Sequence, residues 1–195
     1  VYGMVVCMCV SLRLGARMVL QPDPRDLNEI LRLIQTYQPA FYPGVPAMYA
    51  ALNQHPDVVS GKASLRSIRA CISGSAPLLR EVQERFEALS GAKLMEGYGL
   101  SEAPTATHCN PMFGEKRPGS IGLPLPDVDC RLVSLEDSTR EVGAGEIGEL
   151  TLRGPQVMAG YHGMPEETAA ALRDGWLFTG DIARMDEDCF IYLVD

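Results

Sequence analysis

Two short stretches hold the side chains with chemistry to offer. Glu96-Gly97-Tyr98-Gly99-Leu100-Ser101-Glu102 combines a flat aromatic ring, glycines, a hydroxyl and carboxylates, and Trp176-Leu177-Phe178-Thr179-Gly180-Asp181 adds a further acid. A tyrosine at the end of a strand offers a face on which a planar base can stack. Gly97 and Gly99 let a ligand approach the backbone, because neither carries a Cβ. Ser101 reads as the N-cap of a following helix, and a helix N-terminus favours a phosphate. Glu102 supplies a hard oxygen of the kind Mg²⁺ takes beside phosphate oxygens. Asp181 can accept from two neighbouring hydroxyls at once, as the 2′ and 3′ hydroxyls of a ribose require. The set suits a nucleotide with a metal ion. Each part also has a plainer use: Glu102 as a solvated glutamate after a glycine turn, and Asp181 as a turn aspartate bonded to its own backbone.

Ser73-Gly74-Ser75-Ala76-Pro77 ends an earlier strand in the same manner, and its small residues could wall a nucleotide pocket or simply turn the chain. His108 and His162 have no evident nucleophile or acidic partner and read as structural; His55 sits in a loop. No G-x-S-x-G, H-E-x-x-H or G-x-x-x-x-G-K-[ST] occurs.

The elements that must position these groups follow from the patterning. Up to about residue 110, strand-like and helix-like segments alternate. Residues 16–20 read as a strand closed by Pro22. Asp26 and Glu29 form a capping box ahead of Leu27, Ile30, Leu31 and Ile34 on one helical face. A strand over 40–42, a helix over 45–54 and a strand over 67–73 follow. Pro77 suits the first turn of the next helix, with Val82, Phe86 and Leu89 inward and Gly91 as its stop. Residues 93–96 form a strand that feeds the first motif. Such alternation implies an α/β fold with a mainly parallel sheet flanked by helices. From about residue 114 the runs are β-like (129–134, 146–153 and 189–194), with one helix opened by Pro165 and closed by Gly175. This predicts a smaller β-rich, barrel-like subdomain, so residues 1–113 and 114–195 are expected as two parts.

The 195 residues are long enough to bury a real core, and 46% hydrophobic with 22% charged residues suits a soluble globular chain. A formal net charge of −8 argues against a nucleic-acid partner. Six scattered cysteines (Cys7, Cys9, Cys71, Cys109, Cys130 and Cys189) form no C-x-x-C pair and read as reduced thiols in a cytoplasmic protein. Residues 1–12 are apolar, but Arg13 and Arg17 interrupt the run short of the ~20 residues of a spanning helix, which leaves a buried core helix.

In their order and spacing the two motifs resemble those of the adenylate-forming superfamily, which contains acyl-CoA synthetases, luciferases and the adenylation domains of peptide synthetases. Residues 119–124, 148–150, 153–161 and 165–168 are similar to further stretches of it, and the texture looks closest to bacterial long-chain fatty acid-CoA ligases. The resemblance implies a ligase that uses ATP, Mg²⁺ and coenzyme A to turn a fatty acid or other carboxylate into an acyl-adenylate and then a thioester. It implies that Tyr98 packs on adenine, with Gly74, Ser75, Ala76, Gly97 and Gly99 around the nucleotide. It gives Ser101 to the phosphates, Glu102 to Mg²⁺ and Asp181 to the ribose. Tyr2, Gly3, Gly99 and Ala103 would line the acyl pocket. Ser75 and Cys189 stand where glycine is usual, and Ser101 replaces the commoner threonine.

By the same resemblance the phosphate loop and a histidine near the acyl carboxylate would precede Val1, and a ribose-binding arginine, the hinge and a lid with its catalytic lysine would follow Asp195. A central fragment of the large N-terminal domain, unable to adenylate alone, is the expectation. An aryl-CoA ligase, a luciferase-like oxidase, an amino-acid adenylation domain and a non-catalytic nucleotide- or acyl-binding relative remain alternatives. A fatty-acid substrate is compatible with peripheral membrane contact.

Overall fold

The computed structural model describes residues 1–194. The chain divides into two compact units, Tyr2–Glu96 and Gly97 onward. The division falls inside one strand.

The first unit opens with a π-helix, Gly3–Cys9, continued by α1, Val10–Leu14, which Gly15 ends at φ 63°. The expected buried core helix is not found here. No residue of either segment is buried, and Met4, Met8, Val10, Leu12 and Leu14 are all exposed. A helix apolar on every side needs cover on several sides, and this one lies open. Nor do residues 16–20 form the expected strand; they are irregular. Apolar composition alone does not make a strand without a ladder to join.

Helix α2, Leu27–Tyr37, starts as predicted. The Asp26 carboxylate accepts from the Glu29 N–H at 3.0 Å, and Ile30, Leu31 and Ile34 face inward. The box is half made, because the Glu29 carboxylate turns to Arg32 at 2.6 Å instead of reaching back. Strands β1 (Phe41–Gly44) and β2 (Ala70–Ser73) run parallel, and β2 pairs in parallel with residues 93–96 of β3 (Lys93–Leu100). Pro43 is tolerated because β1 is the edge strand, where a missing N–H is least harmful. Helices α3 (Pro46–Gln54), α4 (Pro56–Val59) and α5 (Arg80–Ser90) complete the unit. Pro77 lies in the loop before α5 rather than in its first turn, since the helix begins after an extended Leu79. Tyr49, Leu52, Phe86 and Leu94 are fully buried, with the Tyr49 and Phe86 rings edge to face at 4.9 Å.

The second unit is antiparallel. Residues 97–100 of β3 turn at Ser101 and Glu102 into β4 (Ala103–Cys109), with Tyr98 opposite His108 and Leu100 opposite Ala103. The helix expected after the motif is therefore a hairpin, and Ser101 is a turn residue, not an N-cap. A two-residue strand β5 (Leu123–Pro124) adds to β4. A separate sheet runs β10 (Ile191–Leu193), β9 (Trp176–Met185), β7 (Ile147–Arg153) and β6 (Asp129–Val133), with β8 (Leu172–Arg173) also on β9. Helix α6, Pro165–Ala171, ends short of Gly175. That glycine, at φ 80°, instead turns β8 into β9 together with Asp174 at φ 51°; two adjacent left-handed residues suit a tight hairpin. Leu132, Leu150, Leu152, Leu177 and Ile191 form the core.

Two glycine-like positions have large consequences. A Cβ on Gly99 would lie 1.8 Å from the Thr105 carbonyl oxygen, so the partner backbone of the hairpin by itself requires glycine here. Gly99→Ala should cost about 2 kcal/mol in chemical denaturation by forcing β3 and β4 apart; an unchanged midpoint would contradict this packing. Cys189 sits at φ 67° in the β9–β10 hairpin. There Asp186 accepts from the N–H groups of Asp188 and Phe190, while Arg117 holds both Asp186 and Asp188 at 2.6 Å. Because it relieves the left-handed strain of a non-glycine residue, Cys189→Gly should stabilise the fold by about 0.5–1 kcal/mol after the glycine's own entropy is deducted, read as a raised thermal midpoint. A lowered midpoint would contradict it.

Candidate active site

In the second unit, four side chains from four segments meet in two pairs. Tyr98 lies on β3 with His108 across the hairpin, their ring centroids 6.0 Å apart. His108 is fully buried, and burial pushes its imidazole down to about 4, so a neutral ring backs the tyrosine at neutral pH. The Tyr98 hydroxyl donates a hydrogen bond to the Asp181 carboxylate. Burial first, and then that carboxylate, pushes the phenol far above the ordinary tyrosine value, so Tyr98 stays a donor.

Asp181 is not in a free turn. It lies within β9 where the ladder to β7 slips: Glu149 pairs with Ile182 and Thr151 with Phe178, leaving residues 179–181 against Leu150 alone. Gly180, at φ 78°, allows the bulge. Its N–H donates to the Glu149 carboxylate at 2.9 Å, the Thr179 hydroxyl donates to the Leu150 carbonyl at 2.7 Å, and the Asp181 N–H donates to the Thr179 hydroxyl at 3.1 Å. The irregularity is thus held from three sides, and it aims Asp181 at Tyr98 rather than at its own backbone.

Glu102, in the β3–β4 turn, is the second pair. Its carboxylate accepts from the Tyr161 hydroxyl at 2.9 Å, and its main-chain carbonyl accepts from the Met158 N–H at 2.7 Å. Sequence reading gave Tyr161 no role; a contact spanning 59 residues leaves no local signal beyond the glycine–tyrosine pair itself. Ser101 beside it is exposed. With a hairpin in place of a helix, any phosphate contact here falls to the Ser101 hydroxyl and the turn backbone, without a helix dipole.

The donor set fits a magnesium ion held by one carboxylate. Among the described residues no cationic side chain pairs with Glu102, and none of its neighbours makes up a group of three or more His, Cys, Asp or Glu able to enclose a metal. Mg²⁺ commonly takes one or two carboxylates and fills its shell with water and phosphate oxygens.

The other predicted residues lie as follows. In the first unit, Gly74, Ser75 and Ala76 follow β2; Gly74 is buried, and Ser75 is exposed at φ 70°, a left-handed conformation that favours glycine. Buried Glu96 accepts from the Leu78 N–H at 3.1 Å and so ties down the far end of that loop; burial raises its carboxyl against the opposing effect of the bond. The Tyr2 hydroxyl donates to the Ile72 carbonyl at 2.9 Å, and Gly3 opens the π-helix. In the second unit, Gly97 pairs with Cys109, and Ala103 is fully buried in the apolar core.

A family model described as AMP-binding enzyme matches residues 1–162. The chain belongs to the AMP-binding enzyme family. It is 48% identical over its whole length to a long-chain-fatty-acid–CoA ligase of Bacillus subtilis (strain 168), of which it covers 34%. Among solved structures, apo MatB from Rhodopseudomonas palustris aligns over 98% of the chain and 37% of its own, at 33% identity and a TM-score of 0.86. The anthranilate CoA ligase AuaEII, in complex with anthranoyl-AMP, aligns over 98% of the chain and 36% of its own, at 28% identity and a TM-score of 0.89. The α/β part with a β-rich part is the architecture these neighbours share. The chain spans about a third of the length of the curated relatives it matches.

Proposed function

We propose that the chain is the central part of an acid–thiol ligase that activates a long-chain fatty acid with ATP and passes the acyl group to coenzyme A. The observation that carries this reading is the pairing of Tyr98 with Asp181, an aromatic face joined to an acceptor for a ribose diol. The relatives' names support the substrate class.

In the first step, a carboxylate oxygen attacks the α-phosphorus of ATP and pyrophosphate leaves; in the second, the coenzyme A thiolate attacks the acyl carbonyl and AMP leaves. Tyr98 offers its ring to adenine while its hydroxyl keeps Asp181 oriented. Asp181 accepts from the 2′ and 3′ hydroxyls with Oδ1 and the remaining lone pair of Oδ2, which Tyr98 shares. Glu102 would hold Mg²⁺, whose charge offsets that gathering on the phosphates, and Ser101 donates to a phosphate oxygen. In the first unit, the small residues Gly74, Ser75 and Ala76 are proposed as a nucleotide-binding turn. In the same unit, Tyr2 and Gly3 are proposed for the acyl group. Among the described residues no helix is long and apolar enough to cross a membrane; a cytoplasmic enzyme with peripheral access to fatty acids is the setting proposed. Alone, the 195 residues are proposed to be inactive.

The experiment is product analysis by mass spectrometry of the full-length protein with ATP, Mg²⁺, coenzyme A and, in parallel reactions, palmitate, an aryl acid or an amino acid. Palmitoyl-CoA and AMP in equal amounts are expected. Thioester formed only with an aryl acid, or aminoacyl-adenylate without thioester, would overturn the fatty-acid reading.

A further inference from the structure

We propose that Tyr161 is a positioning residue for the Glu102 carboxylate, set in place by Thr168, and that it tunes how tightly the protein holds the divalent cation that accompanies ATP. The inference rests on the assignment of Glu102 to Mg²⁺ made above.

Glu102 occupies the tip of the β3–β4 hairpin, where a long side chain has several rotamers open to it. Two contacts from one segment remove that freedom. Met158 donates its N–H to the Glu102 carbonyl and fixes the backbone, while the Tyr161 hydroxyl donates to Oε1 and fixes the carboxylate. Oε2 is left without a protein donor among the described residues. One oxygen is therefore oriented and the other presented, the arrangement in which an outer hydrogen bond sets the geometry of a ligating carboxylate.

Tyr161 is itself held. Its N–H donates to the Thr168 hydroxyl at 2.9 Å, and that hydroxyl donates to the Met164 carbonyl at 2.7 Å, at the first turn of α6. Gly160 is packed against the same threonine: a Cβ there would meet Thr168 Cγ2 at 2.7 Å. Thr168, Tyr161 and Glu102 thus form a chain of contacts within one unit, in which the threonine anchors the backbone that carries the tyrosine. The role assigned to Tyr161 is therefore to orient Glu102 and not to touch substrate.

The test measures Mn²⁺ binding to the full-length protein in the presence of ATP by electron paramagnetic resonance, alongside metal-free ATP affinity, for the wild type, Glu102→Gln, Tyr161→Phe and Thr168→Val. Tyr161→Phe should weaken Mn²⁺ about tenfold, at the low end of what loss of an outer hydrogen bond costs a metal site, with metal-free ATP affinity unchanged; a merely structural role would lower both or neither. Thr168→Val, of nearly the same shape, should move Mn²⁺ affinity in the same direction by less, and it serves if Tyr161→Phe fails to fold. Wild-type Mn²⁺ affinity in both Tyr161→Phe and Thr168→Val, with Glu102→Gln impaired, would overturn the proposal. Wild-type affinity in Glu102→Gln would instead overturn the assignment of Glu102 to the metal, and this inference with it.

Discussion

Glu102→Gln in the full-length protein is expected to lower the turnover of acid-dependent pyrophosphate release by about two to three orders of magnitude, the range seen when one preorganised stabiliser of developing charge is removed. The change keeps the shape of the side chain and an oxygen that can still accept from Tyr161, so the hairpin and the bond at 2.9 Å survive. It removes only the negative charge that would face the cation. The loss should therefore appear in turnover and in Mg²⁺ dependence, with thermal stability held. Turnover within a few-fold of wild type at ordinary Mg²⁺ would show that the carboxylate has no part in the chemistry.

Asp181→Ala should raise the KM for ATP about a hundredfold. Two hydroxyls donating to a carboxylate contribute about 1.5 kcal/mol each at the lower end for charged acceptors, and every 1.4 kcal/mol is a factor of ten. The variant also strands the Tyr98 hydroxyl, whose bond to Asp181 is its link across 83 residues. Comparing ATP with its 2′,3′-dideoxy analogue separates the two effects. Wild-type protein should strongly prefer ATP, and Asp181→Ala should treat the two nucleotides alike. A preference that survives the substitution would place the ribose elsewhere.

Local patterns predicted what local forces decide. Asp26 caps α2 and Gly91 closes α5 because a side-chain acceptor and a left-handed residue act within a turn of the helix they bound. Tertiary competition defeated the same reasoning at Ser101. A serine after a glycine-rich strand reads as a helix start, but Thr105 and Thr107 downstream favour a strand, and the β3–β4 ladder prevails. Gly175 shows the same ambiguity, since a left-handed glycine ends a helix or turns a hairpin equally well. The residues of the site were legible as types: ring, carboxylate, hydroxyl. Their pairing was not, because Tyr98 with Asp181 and Glu102 with Tyr161 depend on a bulge and a loop that no periodicity announces. The apolar opening helix marks the other limit, since composition says what should be covered but not by what.

The most direct measurement of the central claim is pyrophosphate release by the full-length protein over a panel of carboxylic acids, with ATP and Mg²⁺ present and the 195-residue chain as control. Release that peaks with long-chain fatty acids, and none from the control, is the expected result. No release with any acid, from a well-folded protein that still binds ATP, would contradict ligase function and leave a nucleotide-binding relative without turnover.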